Sequence, residues 1–144
     1  MIFQPFDELF PEIARQETRT IAIPEGNSFK LPADEYGFFE AYCNDPKCDC
    51  RRVFFNVFSR HRKKLEAVIF YGWEDVSFYR KWIGIPDFDA ATNLAGPGLN
   101  DSSPQSSIAP SILIACSTLL LKDENYVKRI IKHYTMFKDK IKLK

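Results

Sequence analysis

The chain has 144 residues, 45% of them hydrophobic, with 20 Lys and Arg against 19 Asp and Glu; this is the makeup of a folded domain and excludes a disordered, fibrous or membrane-embedded chain. A domain of this length buries roughly two-thirds of its unfolded surface, which suffices without disulfide staples. Thirteen Phe, six Tyr and two Trp direct much of that burial to aromatic rings.

The opening MIFQPFDELF carries acids and no base before Arg15, which is unlike a signal or transit peptide. The longest apolar run, from Ile108 to Leu121, is broken by Pro110, Ser111, Ser117 and Thr118 and is too short to span a bilayer. The expectation is a cytoplasmic protein without membrane contact, whose thiols stay reduced. Charge is unevenly spread: residues 1–50 hold ten acids and four bases, and the tail from Lys122 holds eight bases and three acids. Such polarity allows binding to nucleic acid, or simply two faces that meet each other.

In chain order, Phe6, Leu9, Phe10, Ile13 and Ala14 recur at helical spacing and predict one helix from Phe6 to Thr18, with Pro11 tolerated in its first turn. Thr20 to Ile23 predicts a short strand closed by the turn residues Pro24 to Asn27. Tyr36–Cys43, Arg52–Ser59 and Leu65–Tyr71 are rich in Phe, Tyr and Val and predict strands. The links between them are too short for parallel crossovers, so the three form an antiparallel meander. Val53, Phe55 and Val57 alternate with Phe54 and Phe58, which predicts apolar cover on both faces of the middle strand. Asp75 caps a helix to Ile83 with Val76, Tyr79, Trp82 and Ile83 inward, and residues 84–105 show turn residues but little periodicity, as in a long loop. Ser106 or Ser107 starts an apolar helix to Leu121, and Asp123 caps a last one from Glu124 to about Lys140. The fold expected is α+β: one domain over residues 1–144, an antiparallel sheet of about four strands packed by helices from both ends of the chain.

Residues 43–50 read Cys-Asn-Asp-Pro-Lys-Cys-Asp-Cys. The Asn-Asp-Pro-Lys segment favours a turn, which sets Cys43 opposite Cys48 and Cys50. Residues two apart in extended chain share a face, so three thiols converge there. Zinc takes four ligands and accepts three cysteines and a histidine readily. His133 shares a helical stripe with Tyr126, Ile130 and Phe137 and is the candidate fourth ligand; His61 lies in the basic turn of Arg60, Arg62, Lys63 and Lys64. The alternatives are a histidine hydrogen-bonded in the core, and reactive or inert thiols in place of a metal. Without metal, Arg51 and Arg52 beside the thiols would depress their pKa, unless those arginines pair with acids such as Glu40. Cys116, in the run Ile112 to Cys116, reads as core packing.

Tyr42-Cys43-Asn44-Asp45-Pro46-Lys47-Cys48-Asp49-Cys50-Arg51-Arg52-Val53 resembles a group of bacterial proteins that carry a YCxDPxCDCRRV motif. The likeness continues through Tyr71-Gly72-Trp73-Glu74, Gln105-Ser106 and His133-Tyr134-Thr135-Met136-Phe137-Lys138, from about residue 36 onward. It implies a single domain and draws attention to the Cys and His positions; it assigns no reaction.

Enzymatic signatures are missing from the sequence: it has no His-x-Glu with Pro-Cys-x-x-Cys, no G-x-S-x-G elbow, no Walker loop and no dinucleotide fingerprint. Glu74 and Asp75 after Trp73 offer an acid/base pair, but helix capping explains them more simply. The reading is a zinc-stabilised, non-enzymatic interaction module with an unknown protein partner. Its rivals are a nucleic-acid accessory protein using residues 60–64 and the tail, or a thiol or metal enzyme with 84–105 as a lid.

Overall fold

A computed structural model describes residues 2–84 and 88–142. The expected Phe6–Thr18 helix is two helices, α1 (Phe6–Leu9) and α2 (Pro11–Glu17). They break at Phe10, which takes φ −133° and ψ 62° because a residue before proline is driven out of the helical region. Ahead of them lies a short strand, β1 (Phe3–Pro5), that the sequence did not signal, and after them β2 (Arg19–Ile23). The meander follows as expected: β3 (Asp34–Cys43), β4 (Arg52–Ser59) and β5 (Lys64–Gly72).

Residues 84–105 are not a structureless loop. They contain α4 (Phe88–Ala95) and a two-residue strand, β6 (Gly98–Leu99), while residues 85–87, with Pro86, lie outside the described residues. The apparent lack of periodicity reflects short elements separated by glycine and proline. α3 (Val76–Ile83) begins where expected, with the Asp75 carboxylate accepting from the Phe78 amide at 2.9 Å. Tyr79 of α3 is buried, but Trp82 stays exposed. α5 (Ala109–Ala115) passes into a wider turn over Cys116–Leu120, where the Leu121 amide donates to the Cys116 carbonyl. α6 (Glu124–Lys142) is capped by Asp123, whose side chain accepts from the amides of Asn125 and Tyr126. Lys144 of the basic tail falls outside the described residues.

All six strands form one antiparallel sheet in the order β1-β3-β4-β5-β6, with β2 also on β3. β1 covers Ala41 to Cys43 and β2 covers Asp34 to Phe38, so the two share the edge of β3 opposite β4. One face of the sheet carries the core: Tyr36, Phe38, Val53, Phe55, Val57 and Ile69 pack with Phe6, Ile112, Leu120, Ile130 and Phe137 from the helices. A smaller cluster joins Tyr79 of α3 to Ala91 and Ala95 of α4.

The opposite face is covered only in part, contrary to the expectation for β4. Phe3 stacks on Phe54 with centroids 4.0 Å apart, yet Phe39 and Phe58 remain 38% and 41% exposed, edge to face. Cys116 is buried in the core, as its neighbours implied. No helix among the described residues is long and apolar enough to cross a membrane.

Gly72 ends β5 against α3, and a Cβ there would lie 2.1 Å from the Tyr79 hydroxyl oxygen, itself donating to the Arg51 carbonyl at 2.8 Å. We predict that Gly72→Ala costs about 1–3 kcal/mol in urea denaturation by overpacking; unchanged stability would mean that this contact does not fix α3 against the hairpin.

Candidate metal centre

β3 and β4 are joined at one end by residues 44–51, which close the cysteine hairpin. The Asp45 side chain accepts from the Lys47 amide at 3.0 Å and its carbonyl from the Cys48 amide at 3.1 Å, so the Asn-Asp-Pro-Lys segment turns as its composition predicts. Arg51 then takes φ +51°, an uncommon value for a residue with a Cβ. It is held there from three sides. Its amide donates to the Tyr134 hydroxyl at 3.3 Å, and its carbonyl accepts from Tyr79; the guanidinium pairs with Asp49 at 3.0 Å and lies 4.5 Å from the centre of the Phe78 ring.

The turn brings Cys43, Cys48 and Cys50 together with all three sulfurs within 4.8 Å of one another. Cys43 and Cys50 are buried and Cys48 is half-buried; all four cysteines are free thiols. Three sulfurs on one rigid hairpin are a ready set of soft donors for a thiophilic ion.

Burial pushes the Cys50 thiol up to about 12 and raises Cys48, where sharing with Cys43 adds to the effect and the Lys138 charge works against it. The Arg52 amide donates to the Cys50 sulfur, a contact that favours the thiolate. Arg52 couples electrostatically to Cys50 and Cys48, while Arg51 takes the acid-pairing alternative. Arg51 is spent on Asp49 and Glu74, and the Arg52 guanidinium donates to the Leu94 carbonyl at 3.0 Å between the rings of Phe54 and Phe70. Neither reaches Glu40. Metal-free thiols raised by burial are protonated at neutral pH and make poor nucleophiles.

His133 is not part of this cluster. Its Nδ1 lies 2.8 Å from Glu40 Oε1 and its Nε2 2.9 Å from Glu17 Oε1, so both ring nitrogens already have carboxylate partners. The ring stacks on Phe6 at 4.3 Å. The residue shares the buried stripe of α6 as expected, but it meets β3 at Glu40, while its stripe neighbours Ile130 and Phe137 meet Tyr42 beside Cys43. The sequence-predicted set of four is therefore a set of three.

What α6 does bring to the hairpin is Tyr134 and Lys138. The Tyr134 hydroxyl donates to Asp49 Oδ1 at 2.7 Å, and Trp73 meets the Tyr134 ring edge to face at 5.0 Å. The Lys138 ammonium, 5% exposed, donates to the carbonyls of Cys43 at 2.8 Å and Asp45 at 2.9 Å. The sequence held a signal for both: they are four apart, each next to a member of the His133–Phe137 stripe.

The basic turn at residues 60–64 is exposed, and acids sit beside several of its bases. Arg60 pairs with Glu35, and Arg62 and Lys64 flank the buried Glu66 at 3.3 and 3.7 Å. In the tail, Lys138 is inside the fold and Lys140 donates to the Leu9 carbonyl at 3.0 Å. Comparison with protein-family models, curated proteins and solved structures gives no match to the chain.

The ion pairs of His133 make stability depend on pH. Burial opposes charging of the imidazole, but Glu40 and Glu17 prevail and raise its pKa above 6.5. Its contribution is full below that unfolded value and is lost as pH rises through the folded pKa. Glu17 is lowered by its bond to His133, against burial, so its share is lost as pH falls below the ordinary carboxylate range. We predict that His133→Gln costs about 3 kcal/mol near pH 6, where it leaves Glu40 short of its charged partner. That difference narrows as pH rises above 6.5 and through the raised pKa of His133 in denaturant titrations; a difference constant across pH would contradict the assignment.

Proposed function

We propose that this protein is a zinc-binding, non-enzymatic interaction module in which Cys43, Cys48 and Cys50 hold one divalent ion. The observation that carries the reading is the convergence of three sulfurs within 4.8 Å on a hairpin already fixed by Arg51, Tyr134 and Lys138. Zinc suits such a donor set because it takes sulfur in tetrahedral geometry without redox chemistry. The Arg52 amide on Cys50 and the Lys138 charge beside Cys48 both favour thiolates, offsetting the cost of taking three protons off buried thiols. His133 has another task, so the fourth ligand comes from elsewhere. The neighbouring surface is where a protein partner would dock, in the cytoplasm. A nucleic-acid role has less support, since the turn at residues 60–64 is largely paired with Glu35 and Glu66.

Competition against a chromophoric chelator tests the proposal. The protein is expected to bind one equivalent of Zn²⁺, and Cys48→Ser to bind it more than about a hundredfold more weakly. Zinc at about 100 times its Kd would add roughly 2.7 kcal/mol to the stability of the parent protein and little to the variant. Affinity that survives Cys48→Ser unchanged would sink the three-cysteine site.

A further inference from the structure

The three cysteines are not equally placed. Cys43 and Cys50 are sealed in the fold, while Cys48 lines an open groove of about 270 Å³ between the hairpin and the last turns of α6. Its charged walls are Lys47, Asp49, Lys138, Asp139 and Lys142, with Tyr134 between them. A metal held by the three sulfurs can therefore be approached from this groove, over Cys48.

The groove is also biased towards anions. Asp49 is engaged by Arg51 and Tyr134, which leaves Asp139 as its other acid. Against this stand three ammonium groups. Lys138 is fixed by two carbonyls that leave its charge uncompensated, and Lys47 and Lys142 are exposed with no salt bridge among the described residues. Three thiolates on a divalent ion carry one net negative charge, which Lys138 balances; a further anion arriving at the ion meets the two rim lysines and no buried carboxylate.

From this arrangement we propose that the fourth coordination position is filled by an external monoanionic donor, a small thiolate or carboxylate, that enters through the groove over Cys48. The inference rests on the three-cysteine metal centre and adds its ligand. The module then recognises its ligand through the metal, with Lys47 and Lys142 as steering charges. Ligation is a simple exchange in which the donor's lone pair replaces a metal-bound water, and a thiol gives up its proton to solvent as it binds.

Cobalt(II) substitution separates the two levels of the claim. A sulfur-to-cobalt charge-transfer band reports the three-cysteine centre, and the visible ligand-field bands report the fourth ligand. Titration of the cobalt protein with 2-mercaptoethanol and, separately, with sodium acetate is expected to shift the ligand-field bands saturably, while the charge-transfer intensity per existing sulfur persists. The probe that saturates at lower concentration identifies sulfur or oxygen as the preferred donor. Lys47→Glu/Lys142→Glu, both on the surface and so harmless to folding, is expected to weaken that saturation by about 1.5- to 5-fold per lysine, an effect that shrinks in high salt. A normal charge-transfer band with ligand-field bands that respond to neither probe would overturn the external ligand and leave the metal centre standing. Absence of the charge-transfer band would overturn both.

Discussion

The fold depends on how α6 is laid across β3 without stranding charge. Glu40 lies on β3 and is 6% exposed; His133 comes down on it from α6 and is 1% exposed. A lone carboxylate there would cost several kcal/mol. It is met instead by the imidazole at 2.8 Å and the Tyr42 hydroxyl at 2.5 Å, while Glu17 from α2 closes the far side of the ring. Because a helix side chain and a strand side chain must meet at hydrogen-bonding distance, the pair sets the position of α6 along the strand. Aromatic packing of Phe6, Phe137 and Tyr126 then fills the space that this registration leaves.

That position carries over to the hairpin. With His133 over Glu40, the next residues along the helix reach the end of β3, and Tyr134 and Lys138 grip the loop through Asp49, Arg51, Cys43 and Asp45. A loop of eight residues between strands would otherwise be free to splay. Here an ammonium takes the carbonyls of Cys43 at its edge and Asp45 within it, and its left-handed residue is bracketed by two tyrosine hydroxyls. The convergence of the thiols is therefore a property of the whole domain as much as of the turn that joins them.

Much of this was legible in the sequence, and the misses have physical causes. The meander could be read because aromatic and β-branched runs alternate with short polar links. The cysteine cluster could be read because Asp-Pro turns and two-residue spacing act locally. β1 and β6 are three- and two-residue strands that exist only by pairing with a longer neighbour, so no pattern of their own marks them. Phe10 shows a local rule, proline's effect on the preceding residue, outweighing an otherwise good helical stripe. His133 was placed on the correct face of α6, yet helical spacing gives a face and not a height; its carboxylate partners lie 93 and 116 residues away in the chain. Lys138 was hidden for the opposite reason, since a lysine in a basic tail reads as solvated until a structure buries it.

X-ray absorption at the zinc edge, on untagged protein purified without chelator, tests the central claim most directly. A centre built on Cys43, Cys48 and Cys50 predicts three sulfur neighbours at about 2.3 Å and one further donor without the outer-shell scattering of an imidazole ring. Zinc surrounded only by nitrogen and oxygen, or a protein that retains no metal and shows four free thiols, would contradict it.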